Sequence, residues 1–423
     1  MLNINDFNKQ TTDSLMFHLS KFGFFDFRLK GIIFFNGKYN IFVSDPENTI
    51  LRIFYSGDLL DIDNEYVEIN LLNYGCLNVS SILCDKNGIY LCGITHYNDN
   101  GNNKMFVSIF YFTNNKMTLL SQDLITDESL VDTDEMSICD PFLFKRAKYF
   151  YLILAAKSKT ENLGKLIFFK SDNLIGKYKF EFEIGPLQLF GEKISHPNFV
   201  SLEDYDFIIF ERKYESDNFS SLAYISLDMD FLRKEFKILK IDILENSLNL
   251  SCPILFTSNE DKLEIMAEFI KDQKSLSLTY PRIIENFGSN LIQKPIPEIK
   301  KLIIKQNKYI ENQEIPIGSL IKVIAHQDFK ISFNDKKTLE ILFFEGALIV
   351  KNCDDVIRSK YKYKDISLFI FIDFNTMEIF INHGQEVLSF ATCLNADKFP
   401  IYIMERDHID SLVIAETKRD ERK

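Results

Sequence analysis

Three prolines, Pro141, Pro197 and Pro253, are evenly spaced (197 − 141 = 56 and 253 − 197 = 56), and each follows a side chain that can do chemistry: Asp140, His196 and Cys252. A carboxylate, a thiol and an imidazole that titrates near neutral pH, brought together, could move protons or grip a polar ligand. His196 could serve as a general acid; the plainer reading is a hydrogen bond to a neighbour. Two more charges, Asp26 and Arg28, stand in the apolar stretch GFFDFRLKGIIFF. An arginine carries no lone pair to offer, but it could pair with Asp140 or bind a phosphate or carboxylate. Lys165, Lys170 and Arg212 could add a phosphate contact, although a charged residue on a strand ordinarily faces solvent.

These residues need elements that bring them together. Short apolar runs broken by Gly, Asn and charged turns dominate the chain, as in GIIFFNGKYNIFV, SSILCDKNGIYLCGI, PFLFKRAKYFYLILAA, PNFVSLEDYDFIIFE and PILFTSNEDKLEIMAEF. Each reads as a hairpin, and Asn36-Gly37 is a tight-turn signal. Helical periodicity is hard to find, so the chain reads as nearly all β. First strands beginning near Ile32, Ile82, Phe142, Phe199 and Ile254 recur at a period close to that of the prolines. Such a period in an all-β chain predicts five propeller blades. Each proline is expected to open the innermost strand of its blade, where a missing N–H costs least, with the residue before it extended. Asp140, His196 and Cys252 then form a ring at one end of the central channel.

After about residue 285 the pattern changes to closely spaced alternating strands, the mark of a β-sandwich. The expected fold is therefore all-β: a five-bladed β-propeller over 1–285, a crossing linker over 286–300, and a C-terminal β-sandwich over 301–423. The tail TKRDERK is a solvated charge run.

Bulk properties exclude several functions. The chain has 423 residues and a formal net charge of -12, which argues against nucleic acid or an anionic membrane as partner. No run of about 18 apolar residues suggests a membrane span, and the first residues lack a secretory pattern. Seven cysteines without a C-x-x-C pair fit reduced thiols and a cytoplasmic protein. Cys76, Cys84 and Cys92 repeat every eight residues, but no His cluster joins them, so they read as small buried hydrophobes. No ligand cluster or phosphate loop implies a metal or organic cofactor. There is no Trp against 40 Phe and 18 Tyr, which codon bias in an AT-rich genome would explain.

The same stretches resemble glycoside hydrolase family 32, the invertases, fructanases and sucrose-6-phosphate hydrolases, over almost the whole chain. GIIFFNGKYNIFV resembles the family's first hairpin, which follows a W-M-N-D-P-N-G motif. DPFLFKRAKYFYLILAA resembles the stretch beginning at its R-D-P motif, and GEKISHPNFVSLEDYDFIIF the stretch around its E-C-P motif. The resemblance implies a five-bladed propeller followed by a sandwich, and β-fructosidase chemistry. In that chemistry an aspartate attacks the fructosyl carbon, a glutamate serves as acid and base, and a third carboxylate stabilises the transition state. Retention needs the two catalytic carboxyl groups about 5–5.5 Å apart.

Carried over, the motifs read differently here. Cys139-Asp140-Pro141 keeps the stabilising aspartate. Ser195-His196-Pro197 puts Ser195 at the acid/base position. Ungapped alignment back from GKYNIFV puts Arg28 at the nucleophile position. Two of three carboxylates are thus replaced, and the expectation is a non-hydrolytic member binding a fructosyl sugar or a sugar phosphate through Asp140, Cys139, His196 and Asn78. An active relative or a second copy of the chain is the protein partner this reading allows. The alternative is an active intracellular β-fructofuranosidase or sucrose-6-phosphate hydrolase using relocated carboxylates, Asp26 as nucleophile and Glu192 as acid.

Overall fold

The computed structural model describes residues 27–417 except for short internal stretches, the longest being 215–219. Asp26, Cys76 and the charged tail beyond Thr417 lie outside the described residues. Among the described residues the regular structure is β-strand with short 3-10 turns, and no helix is long and apolar enough to cross a membrane.

From Arg28 to Pro295 the chain folds into five antiparallel sheets taken strictly in sequence. Their first strands are Arg28–Phe35, Asn78–Asp85, Cys139–Arg146, Lys193–Leu202 and Leu250–Thr257, the strands that the hairpin pattern locates. The first hairpin turns on Asn36 and Gly37, both at positive φ (52° and 79°), between paired Phe35 and Lys38. That is the geometry in which Asn-Gly is favoured, because two left-handed residues match the twist of the flanking strands.

Apolar cores join each sheet to the next. Phe42 and Leu91 lie in the core between the first two sheets, and Cys92 and Leu154 in the next. Phe168 and Phe210 join the third and fourth sheets, and Phe207 and Phe269 the fourth and fifth. A further core places Ile254 and Phe256 of the fifth sheet against Leu29 and Ile41 of the first. The five first strands are thereby drawn toward one another.

Residues 286–300, expected as a linker, carry regular structure. Asn290–Pro295 pairs with Arg282–Phe287 as a strand of the fifth sheet, and Pro297–Leu302 forms a 3-10 turn. Two six-stranded sheets follow. Alternate residues of both, such as Ile331, Ile341, Ile370 and Ile379, share one core, which is sandwich packing. Arg282, 1% exposed, binds Glu245 of the fourth sheet and Glu378 of the sandwich at the joint.

Candidate functional site

The first strands of the five sheets share an irregularity. Register shifts fall between Leu29 and Gly31, Val79 and Ser81, Ser195 and Asn198, and Ser251 and Ile254. In the third sheet Cys139 pairs with Ala155 but Phe142 with Ile153, so Asp140 and Pro141 are the bulge. Bulges of this kind re-aim side chains.

The prolines sit at these bulges, inside their strands, rather than at the strand starts expected. The residues before them are not extended either: Asp140, His196 and Cys252 have φ of 48°, 51° and 53°. At a bulge the ladder asks no N–H of proline, which is why it is tolerated there. A non-glycine residue at positive φ costs about 1–3 kcal/mol and persists where its surroundings demand it. Here the demand is visible. The turned N–H of His196 donates to Asp140 Oδ2 at 3.1 Å, and that of Cys252 to Glu211 Oε2 at 3.3 Å. Side chains lock the strands together: Asn198 Nδ2 donates to the carbonyls of His196 (2.8 Å) and Pro253 (2.7 Å), while Ser81 Oγ donates to the Pro141 carbonyl at 2.8 Å.

His196 is the centre of the cluster. Its Nδ1 lies 3.4 Å from Glu211 Oε2 and 3.7 Å from Asp140 Oδ2, and its side chain is one-quarter exposed. Burial works against its charge, but Asp140 first, then the Cys252 sulfur and the Glu211 hydrogen bond, raise its pKa well above the ordinary 6.5. Glu211 is buried and holds Lys213 Nζ at 2.7 Å. It also accepts from Ser251 Oγ (2.5 Å) and Ser195 Oγ (3.3 Å). Burial would raise its pKa, yet the His196 bond and the Lys213 charge hold it far below the carboxylate range.

The other side of the cluster is formed by Lys30 and Glu268, both buried. Lys30 Nζ donates to Asn78 Oδ1 at 2.7 Å, and burial lowers its pKa against the pull of Cys252, Asp140 and Glu268. Glu268 Oε1 accepts the Leu29 N–H, and Oε2 has no hydrogen-bond partner among the described residues. Burial pushes its pKa up to about 7 although that N–H, Arg28, His196 and Lys30 act the other way. Cys252 Sγ contacts the Leu29 carbonyl at 3.1 Å.

Asp140, His196, Cys252 and Asn78 therefore stand in one cluster. Arg28 is half-buried, donates to the Phe27 carbonyl at 3.1 Å, and acts electrostatically on Glu268 and Lys30. Cys139 turns its Sγ to the Ile194 carbonyl at 3.7 Å, and burial keeps its thiol protonated. Glu192 precedes its strand, with its N–H bonded to the Lys213 carbonyl, about 10 Å along the chain from Ser195 at strand rise. Lys165 and Lys170 pair with Glu183 and Glu181 of their own sheet, and Arg212 donates to Ser221 Oγ and the Leu189 carbonyl. Among the described residues no group of three or more His, Cys, Asp or Glu could hold a metal ion.

Sequence reasoning missed Lys30, Glu211 and Glu268. The two glutamates sit on second strands, opposite Ser195 and Ser251, and their separation (268 − 211 = 57) nearly matches the proline period. That match was the available signal.

The cluster tests itself by pH. A histidine whose folded pKa exceeds its unfolded value adds stability in full below about pH 6.5 and loses it as pH rises through the folded value. Nitrogen-edited NMR of the imidazoles is expected to show His196 charged at pH 7. In Glu211→Gln its titration falls toward the ordinary range; an unmoved midpoint would remove Glu211 as its partner.

No family model matches the chain. It is 26% identical over 294 residues to the sucrose-6-phosphate hydrolase of Bacillus subtilis (strain 168), spanning 59% of this chain and 60% of that protein. The match thus spans less than two thirds of that relative's length. The fold is similar to that of sucrose-6-phosphate hydrolase from Lactobacillus gasseri, with a TM-score of 0.78 and 17% identity over 92% of this chain and 90% of the other. It is also similar to a Bombyx mori family 32 β-fructofuranosidase variant in complex with sucrose, with a TM-score of 0.74 and 14% identity over 92% and 91% of the two chains.

Proposed function

We propose that this chain, which belongs to glycoside hydrolase family 32, binds a fructosyl sugar or a sugar phosphate where its five first strands converge, and does not hydrolyse it. In this reading the five sheets are the blades of a propeller, the sandwich begins after Pro295, and the protein works in the cytoplasm, where sugar phosphates arise.

One observation carries the reading. At the two positions where the family needs an attacking and a proton-donating carboxylate, the chain has Arg28 and Ser195. The carboxylates beside them, Glu268 and Glu211, come from second strands and are 0% and 1% exposed. Glu211 is spent on His196, Lys213 and two serines, and Oε1 of Glu268 on the Leu29 N–H. Arg28 and the partly exposed His196 offer a ligand positive charge, and Asp140 offers an acceptor for sugar hydroxyls. A guanidinium and an imidazolium suit a phosphate, since charge-assisted hydrogen bonds are the strong ones.

The experiment is calorimetric titration of the full chain with sucrose 6-phosphate and with sucrose. The phosphorylated sugar is expected to bind more tightly, and Arg28→Ala to weaken it about 10-fold or more, the value of one charge-assisted contact. Equal affinity of Arg28→Ala and the natural protein would remove the phosphate role, and no binding of either sugar would remove the site.

A further inference from the structure

Arg212 is one of the cations that the sequence offers for a phosphate, and it has no part in the Asp140–His196 cluster. It follows Glu211 on one strand, and successive strand residues point to opposite faces. Glu211 therefore serves the cluster, while Arg212 lines a separate cavity of about 260 Å³. This cavity lies between the fourth sheet and Asp355–Arg358, the edge strand of one sandwich sheet.

The cavity brings two guanidiniums together, Arg212 and, from the end of the edge strand, Arg358. Among the described residues no aspartate or glutamate lines it, and neither arginine makes an ion pair. Arg212 is held in place. Its Nε donates to Ser221 Oγ and its Nη1 to the Leu189 carbonyl, both at 2.9 Å. Its guanidinium carbon lies 5.7 Å from the centre of the Tyr214 ring, whose Oη is tied to the Gln188 carbonyl at 2.9 Å. These contacts fix the fork and leave Nη2 without a partner among the described residues. Ser221 spends its oxygen on Arg212 and keeps its O–H to donate.

Ser247 is an independent sign of a ligand. It lines the same cavity at 4% exposure, and its buried Oγ has no hydrogen-bond partner among the described residues. A buried hydroxyl left unmatched is a cost that a bound acceptor removes. Two fixed positive charges beside hydroxyls from different segments suit a tetrahedral dianion. Each guanidinium engages oxygens through its fork, and the hydroxyls take those that remain. A planar carboxylate would leave donors unused. A larger cavity adjoins and shares Ile243 and Asn246. There Lys240, Lys360 and Lys362 outnumber Asp242 and Glu386, so the approach to the arginines is positive as well.

We infer that this cavity binds a phosphate group, free or on a small ester, at a site separate from the first-strand cluster. The test uses the full chain carrying Arg28→Ala, which removes the phosphate contact proposed for the cluster. Titrated by calorimetry with inorganic phosphate at low salt, this protein is expected to bind. Adding Arg358→Ala weakens binding about 10-fold or more, the scale of one charge-assisted contact, and adding Ser247→Ala weakens it about 3-fold. Both changes spare the fold. Arg358 is joined to the fourth sheet through its carbonyl, which accepts Asn246 Nδ2 at 3.0 Å, and its side chain is exposed. Ser247→Ala removes a hydroxyl without a partner, so its urea midpoint holds while its phosphate affinity falls; a merely structural serine would give the reverse. Glycerol 3-phosphate separates the two sources. Tighter binding than inorganic phosphate assigns the site to an ester, weaker binding to the free ion, and both uphold it. No phosphate binding in the Arg28→Ala protein overturns the inference, as does equal affinity after either added change. Acetate binding as tightly as phosphate would overturn the tetrahedral class.

Discussion

Incubated at high concentration with sucrose or sucrose 6-phosphate, the protein is expected to release no glucose, fructose or glucose 6-phosphate above the uncatalysed rate. In the family's chemistry, the nucleophile and the acid act on one bond, so removing either collapses most of the acceleration. On the proposed alignment both positions are changed, to Arg28 and Ser195, and the expected loss is about 10⁴-fold or more. Arg28→Asp alone is expected to restore nothing, because the Ser195 hydroxyl is too weak an acid to protonate a leaving group efficiently. A coupled assay for glucose and glucose 6-phosphate checks this. Turnover abolished by Glu268→Gln or Asp140→Asn would sink the reading and make the buried carboxylates the working pair. Glu268 is the one to watch, since its pKa near 7 and its unpartnered Oε2 are properties of a general acid.

The parts of the architecture legible in the sequence are those fixed by local chemistry. Asn36-Gly37 turns where such a pair must, and the hairpin pattern locates all five first strands. The proline period points to Asp140, His196 and Cys252 as neighbours, and the His196 N–H to Asp140 bond joins two of them across 56 positions (196 − 140). What escaped is non-local. A single glutamate in IIFERK or IMAEFI reads as the solvent face of a strand, because sequence alternation does not say that the second strand's edge turns into the cluster. Lys30 escaped for the same reason: its carbon stem reads as part of the apolar run, and only the Leu29–Gly31 bulge sets it against Asn78. The backbone before the prolines was misjudged because the general preference for an extended residue there yields to the bulge and its N–H bonds to buried carboxylates. The strand Asn290–Pro295 was hidden by its prolines, which stand at its end and beyond it, where they cost no ladder bond.

Truncating Arg282 to Ala is expected to produce the largest loss of stability of any single substitution at the joint, about 3–5 kcal/mol. All five of its N–H groups are engaged. Nε donates to Glu378 Oε2 at 2.9 Å, and Nη2 to Glu378 Oε2 at 2.6 Å and Ser389 Oγ at 2.8 Å. Nη1 donates to Glu245 and, at 3.0 Å, to Gln293 Oε1. One guanidinium thus ties the last strand of the fourth sheet, the fifth sheet and the sandwich. Removing it leaves two carboxylates in a dry joint, Glu245 at 0% and Glu378 at 1% side-chain exposure, and that uncompensated charge is what makes breaking a buried pair costly. Arg282→Lys recovers only part, because an ammonium cannot reproduce the planar fork. The decisive comparison is the triple variant Arg282→Met, Glu245→Leu, Glu378→Leu, in which no charge is stranded and stability returns close to the natural value. Urea midpoints of the natural protein and the three variants check the order. If Arg282→Ala unfolds at the natural midpoint, water reaches the joint and the two carboxylates are solvated there.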